Sequence, residues 1–155
     1  MFRNSFDSIV ISAFLGLVVL GKYQNYFYII NSVMGIMIVL TSSITAGVGN
    51  SIIIDSKDKN YDDFIKFQFM YMGIACVCTS CFYCLLQPFI KMWVGSEMMF
   101  SELEMTFFCV YFFCNEIGSI CYVYRQAAGL WWQDRFRPMV EAVVNLILNI
   151  VLVKT

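Results

Sequence analysis

Long apolar segments recur along this chain, and no other feature of the sequence limits its fold as much. Five such segments, each bounded by polar, charged or glycine-containing stretches, cover residues 5–20, 23–48, 64–86, 102–124 and 138–153. A helix needs roughly 20 predominantly apolar residues to cross the hydrocarbon core of a bilayer. The pattern therefore predicts an all-α integral membrane protein, a single domain over residues 1–155 built as a bundle of about five transmembrane helices.

Composition supports a membrane environment and argues against nucleic acid as a partner. Of the 155 residues, 60% are hydrophobic and 14% are charged, whereas roughly 25% of the residues of a soluble domain are charged. A small globule cannot bury so much apolar surface, so part of its surroundings must be membrane lipid. The formal net charge of -1 provides no basic field that would collect nucleic-acid phosphates.

The sequence contains no histidine and seven cysteines. Because histidine is the commonest metal ligand and the usual general base near neutral pH, we predict neither an enzyme nor a protein that holds a metal or cofactor. The spacing of Cys78, Cys81 and Cys84 is similar to part of an iron–sulfur ligand pattern, but Pro88 stands where a fourth cysteine is required. We therefore interpret the cysteines, which all lie in apolar stretches, as buried thiols.

Local signals predict where the segments end. The glycine-containing residues 47–50 are expected at a helix end, and the charged residues 55–66 are expected in an inter-helix loop. Gln87 and Pro88 are expected to end the third segment, because proline removes a backbone donor and disfavours helix at the preceding residue. Residues 91–95 then form an interfacial turn. The first segment is short for a membrane span, and a signal peptide is the alternative interpretation.

The distribution of Lys and Arg between the loops predicts the orientation of the chain. The loops after the second and fourth segments contain Lys57, Lys59, Lys66, Arg125, Arg135 and Arg137, whereas the opposite loops contain Lys22 and Lys91. Cytoplasmic loops carry the excess of positive residues, so we predict that the first set of loops faces the cytoplasm. The chain is therefore predicted to cross the membrane several times.

Several motifs recur in order and at helix-length separations, at residues 7–12, 21–26, 43–50, 88–95 and 125–138. Together they resemble the polysaccharide biosynthesis proteins, which are lipid-linked oligosaccharide flippases of the MATE-like multidrug/oligosaccharidyl-lipid/polysaccharide exporter superfamily. The resemblance implies a fold of two lobes around a central cavity, of which this chain is similar to most of the second lobe. We therefore expect either a fragment of a larger transporter or a half that pairs with a complementary lobe in the same or another chain.

By the same resemblance, the implied location is a bacterial cytoplasmic membrane, and the implied function is to move lipid-linked oligosaccharide or polysaccharide repeat units across it for surface polysaccharide synthesis. The implied partners are membrane lipid and an undecaprenyl-pyrophosphate-linked glycan. A drug or cation antiporter of the same fold and an inactive truncated remnant are the alternatives. A membrane-embedded glycosyl or acyl transferase is disfavoured by the absence of histidine.

Candidate residues of the substrate path follow from polarity at membrane depth, because an ionisable residue there is costly and is a functional-site hypothesis by default. Glu116 is expected to take up a proton or cation, or else to hydrogen-bond to Asn115 or to Ser and Thr of a neighbouring helix. The candidates are Asp7, Asn25, Glu116, Arg125, Asn145 and Asn149.

The other candidates except Asn25, which is expected to hydrogen-bond sugar hydroxyls, also have a purely structural interpretation. Arg125 could pair with phosphate oxygens, or it could be a positive-inside anchor at a helix end. Asp7 could simply begin a helix. Asn145 and Asn149 lie one helical turn apart, a spacing that suits interhelical hydrogen bonds as well as a sugar site.

Overall fold

The computed structural model is helical through the part of the chain that it describes. It describes residues 2–130, 132 and 135–153, with side chains for all of these except 2–7, 145, 146 and 148–153. These residues contain no strand, which confirms the all-α prediction for them. The helices are α1 Phe2–Phe14, α2 Leu17–Ile54, α3 Lys57–Trp93, α4 Glu102–Ile117, α5 Ser119–Ala127 and α6 Arg137–Val153, and a 3-10 turn occupies Ser96–Met98.

Three helical segments are long and apolar enough to cross a membrane, as expected of a multi-pass membrane protein. They are α2 with 38 residues, α3 with 37 residues, and the 26 residues Glu102–Ala127 that comprise α4 and α5. At 1.5 Å per residue, α2 and α3 are each longer than 50 Å, well beyond a hydrocarbon core of about 30 Å. In the described residues α1 has 13 residues and α6 has 17. The prediction of five spanning helices is therefore not confirmed.

The first predicted helix, residues 5–20, is wrong at its end. The chain leaves the helical conformation after Phe14, and Gly16 has a φ of 87°. Glycine adopts this left-handed conformation without the steric penalty of a Cβ atom, which makes it a common helix terminator. Residues 17–20 instead begin α2, so the apolar run that predicted one helix is divided between two.

The charged stretch 55–66 is mostly helical rather than a loop, and only Asp55 and Ser56 lie between α2 and α3. α3 begins at Lys57, and the Ser56 hydroxyl caps it by accepting a hydrogen bond from the Lys59 backbone N–H. The apolar run had predicted that this helix starts at residue 64. Because α3 is longer than a bilayer is thick, its first charged turns can extend beyond the hydrocarbon core and remain helical.

Two further predicted helix ends lie inside helices. α2 continues through residues 47–50 to Ile54, and α3 continues through Pro88 to Trp93, so Lys91 and Trp93 belong to its last turn. Proline is tolerated inside membrane helices where neighbouring groups compensate for the missing backbone hydrogen bond. Gly49 lies close to α5, with the backbone oxygen of Ala127 3.9 Å from the position that a Cβ would take.

The contacts of the chain divide it into two compact units. The terminal unit comprises Met1–Asn25 and Trp131–Thr155, and in it α1 contacts α6. The central unit is Tyr26–Leu130 and contains the buried apolar core. That core is formed mainly between α3 and the segments α4 and α5, and its largest fully buried rings belong to Tyr26 and Phe112.

A closed set of three hydrogen bonds connects the central unit's part of α2 to the end of α3. The Tyr26 hydroxyl donates to Gln87 Oε1 at 2.7 Å, the Gln87 amide donates to the Phe100 carbonyl at 2.8 Å, and the Phe100 N–H donates to the Tyr26 hydroxyl at 3.0 Å. Tyr26 is fully buried, so each of these polar groups needs its partner. The three bonds hold the Gln87 side chain between α2 and the segment that follows α3.

A polar cluster joins α2 to α3 at the opposite end of this helical hairpin. The Ser51 hydroxyl lies 2.8 Å from Asp55 Oδ2 and 3.0 Å from Asn60 Oδ1, and Lys59 Nζ lies 2.7 Å from Asp55 Oδ1. The hydrogen bond from Lys59, followed by the one from Ser51, holds the pKa of Asp55 below its ordinary value of 3.8.

This lowered pKa predicts an acid-dependent contribution to stability. Because the folded-state pKa is depressed, the contribution is present above the ordinary value and is lost as the pH falls through the lowered one. We expect Asp55→Asn to reduce the melting temperature at neutral pH, and the difference from the wild type to shrink below about pH 4. The measurement is thermal unfolding of both proteins across this pH range. A difference that stays constant with pH would contradict the assignment.

Candidate functional site

Glu116 is a buried ionisable residue inside a candidate membrane span. Its side chain is only 4% exposed. It lies 14 residues after Glu102, the first residue of the span Glu102–Ala127, which is about 21 Å along the helix axis. The position is therefore near the middle of the span, where an ionisable group is most costly and most often functional.

Helical periodicity places Glu116 on the buried face of its segment. The buried residues of α4 are Met105, Cys109, Phe112 and Glu116, separated by alternating steps of four and three residues. This spacing follows one face of an α-helix. The Phe112 ring packs edge-to-face against Phe82 of α3, with 5.0 Å between the ring centroids. The same packing that buries Phe112 carries the Glu116 carboxylate, one turn further on, against α3.

Two hydroxyl groups hydrogen-bond to the Glu116 carboxylate. Tyr71 of α3 is itself buried, and its hydroxyl donates to Glu116 Oε2. The Ser119 hydroxyl, in the first turn of α5, lies 3.4 Å from the same oxygen. No ion pair among the described residues includes Glu116. The arrangement is a carboxyl group held by neutral donors, which is chemically able to exchange a proton or a small cation.

The helix carrying Glu116 is interrupted directly after it. α4 ends at Ile117 and α5 begins at Ser119, with Gly118 between them. Gln68 of α3 donates from Nε2 to the Ile117 carbonyl at 3.3 Å, and its Oε1 atom is buried without a hydrogen-bond partner among the described residues. Interrupted membrane helices expose backbone carbonyls that help to coordinate ions in many transporters. We refer to Gln68, Tyr71, Glu116 and Ser119 as the Glu116 cluster.

Removing the Tyr71 hydroxyl tests the strength of this cluster. Tyr71→Phe should lower the free energy of unfolding by about 1–3 kcal/mol, because a buried acidic group loses a donor. Interhelical hydrogen bonds in membranes contribute only about 0.6 kcal/mol on average. A loss of about 1–3 kcal/mol would therefore show that the hydrogen bond to the Glu116 carboxylate is stronger than the average interhelical bond. The measurement is unfolding in mixed micelles. Tyr83→Phe, which alters a 55% exposed side chain on the same helix, is the control and should have little effect. Equal effects of the two substitutions would contradict the prediction.

The other predicted site residues are distributed over α1, α2, α5 and α6. Asn25 is half-buried on α2 in the terminal unit, and Arg125 is half-buried in the last turn of α5. Asp7 lies on α1, but its side chain is outside the described residues. Asn145 and Asn149 lie on the continuous helix α6, where a spacing of four puts them on one face, and their side chains are also outside the described residues.

Glu116 faces the helix packing, where Tyr71 of α3 and Ser119 of α5 bind it; a serine of a neighbouring helix was among the expected partners, whereas Tyr71 was not. Asn115 does not bind it, since the Asn115 amide donates to the carbonyl of Tyr111 at 3.0 Å. Tyr71 and Gln68 come from α3, and sequence inspection singled out neither residue. One signal was present, because Gln68 and Tyr71 are three residues apart and share a helix face within an apolar segment.

An open groove of about 480 Å³ lies between α3 and α4, away from the predicted candidates. Its lining residues are Thr79, Ser80, Tyr83, Cys84, Thr106, Cys109, Val110 and Phe113. The hydroxyls of Thr79, Ser80 and Thr106 donate to carbonyls of their own helices, so the groove is largely apolar. In the described part of the chain no three cysteine or acidic side chains are grouped to hold a metal ion.

Comparison with known proteins identified no relative of this chain. No protein-family model matches the chain, and neither a curated protein nor a solved structure matches it significantly. The functional interpretation therefore depends on the three membrane-length helical segments and on the Glu116 cluster.

Proposed function

We propose that this chain is part of a multi-pass membrane transporter that moves lipid-linked oligosaccharide units across the cytoplasmic membrane. The observation that carries the proposal is the burial of the Glu116 carboxyl group against Tyr71, near the middle of an apolar, membrane-length helical segment. A group of this kind is expensive to keep in a membrane and generally has a function there. The substrate, a lipid-linked oligosaccharide, is inferred from the ordered motifs that resemble those of flippases.

The chemistry of such a substrate suits this arrangement. A pyrophosphate-linked sugar needs a polar path through the membrane, while its lipid tail stays among hydrocarbon chains. Alternating access meets both needs when one group of helices moves against another around a site at midplane depth. In this scheme the Glu116 cluster exchanges a proton or cation as the helices move. A complementary lobe, in the same or another chain, completes the cavity.

A drug or cation antiporter is the second candidate, and the same observation favours it. A MATE-like antiporter requires a charged residue deep in the protein, which Glu116 provides in the described part of the chain. The two functions differ in the substrate that moves, since one carries a lipid-linked glycan and the other carries a soluble organic cation. An experiment that shows which of these substrates moves would therefore distinguish the two functions.

Reconstitution of the natural protein tests the proposal. The protein, purified with any chain that accompanies it, is placed in vesicles that hold a fluorescent undecaprenyl-pyrophosphate oligosaccharide. We expect the label to become accessible to a membrane-impermeant quencher beyond the fraction seen in protein-free vesicles. Movement of a cationic dye without movement of the glycan would favour the antiporter. Movement of neither would overturn both proposals and favour an inactive remnant.

A further inference from the structure

An exposed arginine in the terminal unit is stacked on aromatic rings. The guanidinium carbon of Arg135 lies 3.6 Å from the ring centroid of Trp132 and 4.5 Å from that of Phe136. Both rings are exposed, Trp132 by 74% and Phe136 by 57%. We refer to these three residues as the Arg135 patch. It belongs to neither the Glu116 cluster nor the groove.

Stacking prepares the guanidinium to bind an anion. A cation over an aromatic face is attracted by the electron density of the ring, which restrains the side chain at little cost. The planar guanidinium uses its face for this contact, so its N–H donors in the plane stay available for the paired oxygens of a phosphate. Two large exposed aromatic rings are unfavourable in water but favourable at the headgroup level of a membrane.

We propose that the Arg135 patch binds the phosphate of an anionic phospholipid at the membrane surface. The positive charge of Arg135 favours an anion. The exposed rings favour an anion that carries hydrocarbon chains, because these chains cover the apolar ring surface. Met139 and Val143 on α6 are also exposed, and they follow Phe136 by three and seven residues, a spacing typical of one helix face. A soluble phosphate would satisfy only the guanidinium, whereas a phospholipid also covers the rings and the adjacent apolar surface.

Arg137 provides a matched control within the same segment. Its Nε atom lies 2.8 Å from Glu141 Oε1, so an acidic side chain already binds this guanidinium. Arg135→Gln and Arg137→Gln each remove one positive charge at nearly the same place in the chain. They differ in whether the lost guanidinium is stacked on exposed rings or paired with a carboxylate.

The test is the preference of the reconstituted full protein for phosphatidylglycerol over phosphatidylcholine, measured with spin-labelled lipids. The wild type should prefer phosphatidylglycerol, and Arg135→Gln should reduce that preference about fivefold, the effect of one basic residue at an anionic surface. Arg137→Gln should leave most of the preference intact. Equal losses in the two variants would overturn the proposal, since they would show that the lipid is attracted by the total positive charge of this segment and not by the stacked guanidinium.

A second variant and a competitor complete the test. Trp132→Leu keeps an apolar side chain but removes the stacking surface, so it should weaken the preference while the charge is unchanged. An unchanged preference in Trp132→Leu would overturn the proposed geometry. Excess inorganic phosphate should fail to displace the lipid, because it cannot cover the rings. Displacement by inorganic phosphate would show a site for free anions and would also overturn the proposal.

Discussion

Replacing Glu116 with glutamine is expected to reduce transport by the reconstituted protein to the level of protein-free vesicles. Glutamine has nearly the same shape as glutamate, and its side-chain oxygen can still accept the hydrogen bond from Tyr71. It cannot exchange a proton or hold a cation as a carboxylate does. The packing of α3 against α4 should therefore survive, with a change in unfolding free energy of no more than about 1 kcal/mol, while the coupled movement of substrate is lost.

A carboxylate at the edge of the same segment separates this effect from a general change in charge. Glu102 is exposed in the first turn of α4. We expect Glu102→Gln to retain transport, because the residue lies at the end of the span rather than near its middle. Full activity of Glu116→Gln would exclude a coupling role for Glu116, whereas loss of folding in that variant would show that the carboxyl group is structural.

Replacing Phe112 with alanine should cause the largest loss of stability, a fall of about 3–5 kcal/mol in the free energy of unfolding. The side chain is completely buried and packs edge-to-face on Phe82. Removing the ring deletes these contacts and leaves a cavity between α3 and α4 that rigid helices cannot fully close. The measurement is unfolding in mixed micelles, followed by the circular dichroism of the helices.

Phe107 is the matched control, because it lies on the same helix with 65% of its side chain exposed. We expect Phe107→Ala to change the free energy of unfolding by no more than about 0.5 kcal/mol. Comparable losses from the two substitutions would mean that α3 and α4 do not form the core described here.

The existence of the long helices could be predicted, but their ends could not. Apolarity identified the middle of α2 and α3, because the residues that cross the hydrocarbon core must be apolar, whichever residue the helix begins at. The ends depend on local polar groups, such as the hydroxyl of Ser56 that caps α3, and on the conformational freedom of Gly16. Both helices exceed the thickness of a bilayer, so hydropathy could not show where they end.

The candidate site was predicted in part. Glu116 stood out because an ionisable residue in an apolar segment is rare and costly. Its partner Tyr71 could not be anticipated in the same way, since it lies 45 residues earlier in the chain. Tyrosines are frequent in this sequence, and only the helix face that it shares with Gln68 marks Tyr71 out from Tyr83, whose side chain is exposed.

The sequence by itself determined that the chain is helical, that it belongs in a membrane, and that Glu116 is an unusual residue. These properties follow from composition and periodicity, which act locally through the cost of placing polar groups in hydrocarbon. Only the tertiary structure decided that α4 is interrupted at Gly118, that Tyr71 binds Glu116, and that Gln87 is held by Tyr26. The two pairings join residues far apart in the chain, so they exist only once the helices have packed.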